Sequence, residues 1–221
     1  MNSSWTACLL LAFGLIPTAN AKTVEATRSV LQRGANCVVG KLPDDAKSYI
    51  LDDLDDQKTG RLRTKLLDSK CMYLASRRTL TGLGIQGAVS EALLSIENLP
   101  SLAEVSNIAP LKHSDPDSVP LEYSGAGPSL KNYLRAMGHT FVAGECVVRA
   151  NPEQARTLLT THLGSAEESK VLRDLDPVFT GCAKGASLIA GVEAFRATIA
   201  VNYYRLAHAP RLATASAGGA K

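Results

Sequence analysis

Apolar residues recur at three- and four-residue steps along most of the chain, which is the spacing of an amphipathic α-helix. Two long segments show it best, VEATRSVLQRGANCVV (24–39) and LKNYLRAMGHTFVAGECVV (130–148), and each has a cysteine near its C-terminal end. Extended structure should be limited to pieces around RRTLTGL (77–83). We therefore expect an all-α protein.

The same spacing predicts three more helices after each of these segments. Pro43 and Pro152 suit the first turn of the second helices, because a proline there removes no helical hydrogen bond. Pro177 should end or kink one of the third helices. The second, third and closing helices are expected at 44–54, 61–69 and 85–96 in the first half and at 153–163, 169–179 and 188–208 in the second.

The two halves repeat each other at nearly fixed offsets. Cys37 and Cys146 lie 109 residues apart, as do Pro43 and Pro152, and the later cysteines lie 111 apart. The closing segments IQGAVSEALL and FRATIAVNYY align at an offset of 110. Matched cysteines, a matched proline and a matched closing helix in the same order indicate a duplication. The fold expected is two pseudo-equivalent helical units of three to four helices each.

Composition places the boundaries of these units. Residues 99–128 carry several prolines and glycines, which is typical of a linker. The units are then residues 22–98 and 129–208. The small, polar tail at 209–221 should be disordered, as chain ends without apolar anchors usually are.

The N-terminus has the features of a signal peptide covering residues 1–21. An apolar run ends at Pro17 and is followed by Ala19-Asn20-Ala21, the small-residue spacing that signal peptidase recognises. The run is shorter than the roughly 20 residues that span a bilayer. We expect cleavage before Lys22 and an exported protein, periplasmic or secreted, that does not span the membrane after cleavage.

Cysteine use agrees with export. Apart from one cysteine in the leader, the chain has Cys37, Cys71, Cys146 and Cys182, an even number that is typical of two disulfides in an exported protein. A zinc site is the alternative, but no pair has the short spacing that such sites use. Four cysteines allow three pairings. The repeat selects Cys37–Cys71 and Cys146–Cys182, because each unit should close its own bridge.

These motifs resemble a family of uncharacterised exported bacterial proteins with a repeated Cys-Val-Val, Pro-x-x-Ala and second-cysteine pattern. Their closing helix has an Arg-Gly-x-x-Ala-Glu-like core. The resemblance implies an exported helical protein. In this chain the first unit has Gln86-Gly87 and Glu91 at that core, whereas the second keeps Arg196 but has Val201 in place of the acid. A site built on that acid would be absent from the second unit.

Charge and aromatic content argue against nucleic acid as a partner. The formal net charge is only +3 and aromatic residues make up 5% of the chain. Nucleic-acid-binding proteins usually concentrate basic residues on one face and interleave aromatic residues that stack on bases. Neither pattern occurs in this sequence.

Two segments invite a metal-binding interpretation and neither supports it. LDDLDDQKTG begins like a calcium loop, but Lys58 stands where the loop needs glycine and Thr64 where it needs a bidentate glutamate. HSDPDS gathers His113, Asp115 and Asp117 in the linker, where such residues are more typical of a surface turn. We expect no metal and no cofactor.

No catalytic motif is evident either. His139 and His162 lie on predicted helices, where a lone histidine is more often a packing or surface residue than a catalytic base. Glu91 with Arg77 or Arg78 could line a cleft, although a salt bridge is the simpler interpretation. The glycines of TGLGIQG do not follow a strand, as a dinucleotide-binding loop would require, and should form a loop that leads into a helix.

Two functions remain open. The first is a non-catalytic helical module that binds an unknown protein or small-molecule partner between its units. The alternative is a small periplasmic or secreted hydrolase whose site is assembled only in three dimensions. A deep pocket that holds His139 or His162 beside a carboxylate would favour the hydrolase.

Overall fold

The computed structural model describes residues 18–51, 56–72, 82–102, 105–116, 127–189 and 191–210. Over these ranges the chain forms eight α-helices and one 3-10 helix, without a β-strand, which confirms the all-α expectation. The α-helices are α1 (Thr18–Lys41), α2 (Pro43–Leu51), α3 (Asp56–Asp68), α4 (Gly82–Ile96), α5 (Pro128–Ala150), α6 (Pro152–Thr160), α7 (Ala166–Ala183) and α8 (Val192–His208). The 3-10 helix is Val105–Asn107.

Each half contains four of these helices in the same order, and one disulfide closes each half. Cys37 near the end of α1 bonds to Cys71 just after α3, with 5.4 Å between their Cα atoms. Cys146 near the end of α5 bonds to Cys182 near the end of α7, with 5.8 Å between their Cα atoms. The predicted pairing is therefore confirmed, and the fold consists of two disulfide-stapled helical units.

Local sequence explains where most helices begin. Pro43 and Pro152 are the first residues of α2 and α6, as predicted. Ser165 caps α7, and its hydroxyl accepts a hydrogen bond from the Glu168 amide at 3.0 Å. Gly191 precedes α8 with φ of 118°, a backbone conformation that favours glycine over residues with a side chain.

One local expectation was wrong, and of the two alternatives expected at Pro177, a helix end or a kink, the helix end does not occur. The glycine stretch before residue 85 is not a loop, because α4 already begins at Gly82 and includes Leu83. Pro177 does not end the third helix of the second unit, since α7 continues through it to Ala183. Packing against the core outweighs the hydrogen bond that a proline removes, and Leu175 and Phe179 on either side of it are both buried.

The closing helices α4 and α8 pack against each other at the centre of the molecule. Helix α1 covers α4 and helix α5 covers α8, so that each central helix is flanked by the first helix of its own unit. The buried apolar side chains form one cluster with members from both units. Tyr203 and Tyr204 of α8 are completely buried in it, and Tyr203 donates a hydrogen bond to the Pro100 carbonyl at 2.8 Å.

Parts of the predicted leader and tail lie outside the described residues. The apolar run before Thr18 and the tail from residue 211 onwards belong to this part, as does the second half of the linker, 117–126. None of the described helices combines the length and the apolar character that crossing a membrane requires.

Candidate functional site

Four charged side chains, one from each of four helices, form a row of ion pairs between the two units. Arginine and glutamate alternate along this row. Its members are Arg28 of α1, Glu168 of α7, Arg196 of α8 and Glu91 of α4. Their side chains are between 2% and 14% exposed. A buried charge is costly unless it is paired, and here every charge has at least one partner of opposite sign.

Arg196 is the central residue of this row of ion pairs and joins the two units directly. Its Nε and Nη2 atoms donate to the two carboxylate oxygens of Glu91, both at 2.9 Å, which is the bidentate geometry that arginine favours. Its Nη1 atom donates to Glu168 at 3.0 Å and to the Thr161 hydroxyl at 2.9 Å. Nη2 also reaches the Thr161 carbonyl at 3.3 Å. All three nitrogens are therefore engaged within the protein.

Glu168 connects Arg196 to Arg28. Both Nη atoms of Arg28 donate to the Glu168 carboxylate, one of them at 3.1 Å, and the Gly164 amide donates to it at 2.7 Å. Burial alone would raise the pKa of Glu168, but these hydrogen bonds and the charges of Arg28 and Arg196 outweigh burial and lower it. Glu168 therefore stays ionised at neutral pH.

Arg196 is protonated for the corresponding reason. Burial would lower the pKa of its guanidinium, but the hydrogen bonds and charges of Glu91 and Glu168 outweigh burial and raise it. A guanidinium that keeps its proton and a carboxylate that stays ionised can orient a ligand but do not exchange protons with it. The arrangement is therefore suited to binding rather than to acid–base chemistry.

A small cleft opens beside the Arg196–Glu91 pair, with a volume of about 60 Å³. Three small residues of α4, Gly84, Gly87 and Ala88, are among its lining residues. Glu193, in the first turn of α8, lies at its exposed rim. The full lining is Arg28, Leu31, Gln32, Gly84, Gly87, Ala88, Glu91, Leu163, Glu193, Arg196 and Ala197.

A second polar cluster fastens the linker to α5. Glu145 accepts hydrogen bonds from the Leu111 amide at 3.0 Å and from Arg149 at 2.7 Å, and it pairs with Nε2 of His113 at 2.6 Å. Burial alone would raise the pKa of Glu145, but the bonds from His113, Leu111 and Arg149 lower it to about 2. Arg149 also donates to the carbonyl of Ala109 at 2.7 Å. Both residues therefore hold the linker in place.

This cluster accounts for His113, one of the residues that the sequence singled out. The two predicted candidate bases, His139 and His162, are not among the residues that line the cleft. Glu91 does form a salt bridge, with Arg196 of the other unit, while the expected partners Arg77 and Arg78 lie outside the described residues.

Among the described residues, the predicted metal-like segments do not line the cleft. Lys58 and Thr64 of α3 are not among the lining residues, while residues 52–55 and Asp117 lie outside the described residues. Across the described ranges, no group of three or more histidine, cysteine, aspartate or glutamate side chains is arranged to hold a metal ion.

Arg28 and Glu168 were missed by the sequence reasoning. They are 140 residues apart, and nothing in their local patterns connects them. Ser165 and Glu168 have the spacing of a capping box at a helix N-terminus. This pattern explains the glutamate as a structural residue and does not predict its ion pairs with Arg28 and Arg196. Arg196 and Glu91 are 105 residues apart, and no local pattern in the sequence pairs them.

Comparison with family models, with curated proteins and with solved structures found no match to this chain. The fold and the site therefore define its class by themselves. It is an all-α protein of two disulfide-stapled units that share one core and one charged cleft.

Proposed function

We propose that this chain is an exported, non-catalytic binding module that holds a partner protein in the cleft between its units. One observation carries the proposal, namely that the charged residues of the cleft have no charged counterparts in the other half. Offsets of 109 for α1 and α5 and 110 for α4 and α8 define the equivalent positions. The pairs are Arg28 with Met137, Glu91 with Val201, Glu193 with Leu83, and Arg196 with Gln86.

At the equivalent place in the second half, the described residues are packed together. Leu31 and Ala88 at the cleft correspond to Thr140 and Thr198, which are both fully buried. The Thr198 hydroxyl donates to the Thr140 carbonyl at 3.1 Å and holds α8 against α5. The fold is therefore compatible with uncharged packing at this position.

This comparison favours a functional role for the charges. Replacing a buried ion pair by well-packed uncharged residues is often neutral or stabilising by about 1–4 kcal/mol. The ion pairs lie beside an open cleft, and the fold does not need them for its stability. Their presence is therefore better explained by a role in binding. The size of the cleft supports a protein partner, because sites for small molecules usually enclose roughly 300–1,000 Å³.

Export and duplication complete the proposal. The leader at 1–21 would direct the chain to an oxidising compartment, where both disulfides can form and persist. Duplication of one helical unit would have produced two equivalent clefts, and substitutions such as Val201 and Gln86 would then have closed one of them. One binding cleft per chain results.

Photo-crosslinking in the exporting cell tests this function. A benzophenone amino acid replaces Leu163, which lines the cleft, and in a control it replaces Val142, which is 39% exposed on α5 and does not line the cleft. We expect one discrete protein adduct from position 163 and none from position 142. The purified partner should bind the wild-type chain and lose affinity for Ala88→Thr, which narrows the cleft with the residue found at the equivalent position 198.

A partner that bound the Ala88→Thr variant as tightly as the wild type would contradict the proposal, as would equal crosslinking from both positions. Circular dichroism and thermal melting of Ala88→Thr establish that the variant is folded before its affinity is measured.

A further inference from the structure

We infer that the cleft accepts the basic head group of a lysine or arginine side chain presented by the partner polypeptide. This inference rests on the proposed function and adds the chemistry of the group that is recognised. It follows from the charge balance of the cleft, from its unused hydrogen-bonding groups and from its volume.

Among the described residues, the charge balance of the cleft is negative. Two guanidinium groups and three carboxylates lie in or directly behind the cleft wall, namely those of Arg28, Arg196, Glu91, Glu168 and Glu193. The first four form the buried row of ion pairs with one another. Glu193 is exposed and has no hydrogen bond or ion pair with any described residue. The group left without a partner at the mouth of the cleft is therefore an anion.

The unused hydrogen-bonding groups point the same way. Every nitrogen of Arg196 already donates within the protein, so Arg196 has little left to offer an anionic ligand. Glu91 accepts hydrogen bonds from Arg196 alone among the described residues, and each carboxylate oxygen can accept a second one. Together with Glu193, which also lines the cleft, it provides acceptors for a ligand. A ligand with several N–H donors and a positive charge complements this arrangement.

The volume limits the ligand to one head group. A cleft of about 60 Å³ holds roughly four or five water molecules, which is comparable to a guanidinium or ammonium group with its last methylene. A whole metabolite would not be enclosed. A side chain on a partner surface needs only its tip to enter, and its apolar stem can lie along Leu31 and Leu163.

One feature of the cleft favours the opposite charge. Gly84 and Glu193 both lie in the first turn of their helices, and helix N-termini carry a partial positive charge that attracts anions. Glu193 itself offsets this charge at α8. An acidic side chain is therefore the competing ligand, and the experiment includes it.

Nuclear magnetic resonance titration of the mature, disulfide-bonded protein tests the inference. Three capped tripeptides serve as probes: acetyl-Gly-Arg-Gly-amide, acetyl-Gly-Gln-Gly-amide and acetyl-Gly-Glu-Gly-amide. We expect saturable shifts of the Gly84, Gly87 and Glu193 amides with the arginine peptide only. Glu193→Gln should weaken that binding about 1.4- to fivefold, the range for one exposed ion pair.

Glu167→Gln is the matched control. Glu167 is also an exposed glutamate in the first turn of its helix, but it belongs to α7 and does not line the cleft. Its substitution should leave the binding unchanged, so that a general loss of charge or of helix stabilisation is separated from the loss of a ligand contact.

Saturable shifts at the cleft with the glutamate peptide alone would overturn the inference and leave a binding cleft, and thus the proposed function, in place. Equal shifts with the glutamine and arginine peptides would overturn it as well. The same holds if none of the three peptides produces saturable shifts, and the crosslinking from position 163 then decides the proposed function separately.

Discussion

Gly87 of α4 lies directly against Ala197 of α8 at the point where the two central helices cross. A methyl group added to Gly87 would lie 2.4 Å from the Ala197 Cβ atom and 2.6 Å from its Cα atom. The two residues are also 110 positions apart, the offset that relates the closing helices. Two residues that the sequence offset pairs therefore meet in the structure, as equivalent positions do at the axis of a symmetric dimer.

Gly87→Ala should therefore destabilise the protein even though alanine favours helices. Overpacking of a core typically costs about 1–3 kcal/mol, and the better helix propensity of alanine offsets roughly 1 kcal/mol of this. Because the clash involves backbone as well as side-chain atoms, we expect a net loss of about 2 kcal/mol in urea unfolding. Gly181→Ala is the control: it lies in α7 with no atom within 4 Å of an added Cβ, and it should be neutral or stabilising by up to about 1 kcal/mol. Similar effects of both substitutions would contradict the close approach.

Arg196→Met should be among the most damaging substitutions in the chain. It leaves Glu91 without its arginine and removes one of two cations from Glu168, and breaking a buried pair in this way costs about 3–5 kcal/mol. Lys170→Met is the matched control, because Lys170 pairs with Asp174 on the surface of α7, where such a pair is worth roughly 0.5 kcal/mol or less. Denaturant titration of both variants measures the difference. A loss no larger than that of the control would show that the buried network is not held by Arg196.

Removing either disulfide should weaken the fold by a similar amount. The bridged cysteines are separated by 34 and 36 residues, and loops of this length correspond to about 4 kcal/mol in the chain-entropy model. The double variants Cys37→Ser/Cys71→Ser and Cys146→Ser/Cys182→Ser avoid a reactive free thiol. Because the units share one core, each loss should lower the melting temperature of the whole protein in a single transition. Two separate transitions would argue against the shared core.

Stability should fall with acidification in a window set by Glu145. The folded pKa is about 2 and that of an unfolded glutamate is about 4.3, so the folded state holds fewer protons between these values. The stabilisation is complete above the unfolded pKa and is lost as the pH falls from about 5 towards 2, by roughly 3 kcal/mol. Glu145→Gln should lose less stability than the wild type across this window, with Glu167→Gln as the control. A residual decline should remain, because the pKa of Glu168 is also lowered. Parallel curves for Glu145→Gln and the wild type would refute the assignment.

The exported protein should begin at Lys22. The small residues Ala19 and Ala21 stand at the positions that signal peptidase reads. Mass spectrometry of the intact secreted or periplasmic protein gives the N-terminus directly. A mature chain that retains Trp5 would be incompatible with this cleavage.

Local regularities of the sequence determined most of the helices and both disulfides. The spacing of apolar residues predicts a helix because successive turns must present one face to the core. Pro43 and Pro152 favour a helix start through their own backbone geometry, independently of the tertiary structure. The pairing Cys37–Cys71 followed from the repeat, since a unit that folds as one piece brings its own cysteines together. The exceptions are Gly82 and Pro177, where the chain is helical although the local sequence disfavours a helix.

The charged cleft was decided only by the tertiary structure. Arg196 and Glu91 are 105 residues apart, and Arg28 and Glu168 are 140 apart, so no periodic pattern connects them. They meet because α4 and α8 cross at Gly87 and Ala197, where the absence of a side chain lets two helices from different units approach. An ion pair that is exposed to water contributes little free energy to the association of two side chains. The burial that makes their pairing necessary exists only after the units have packed together.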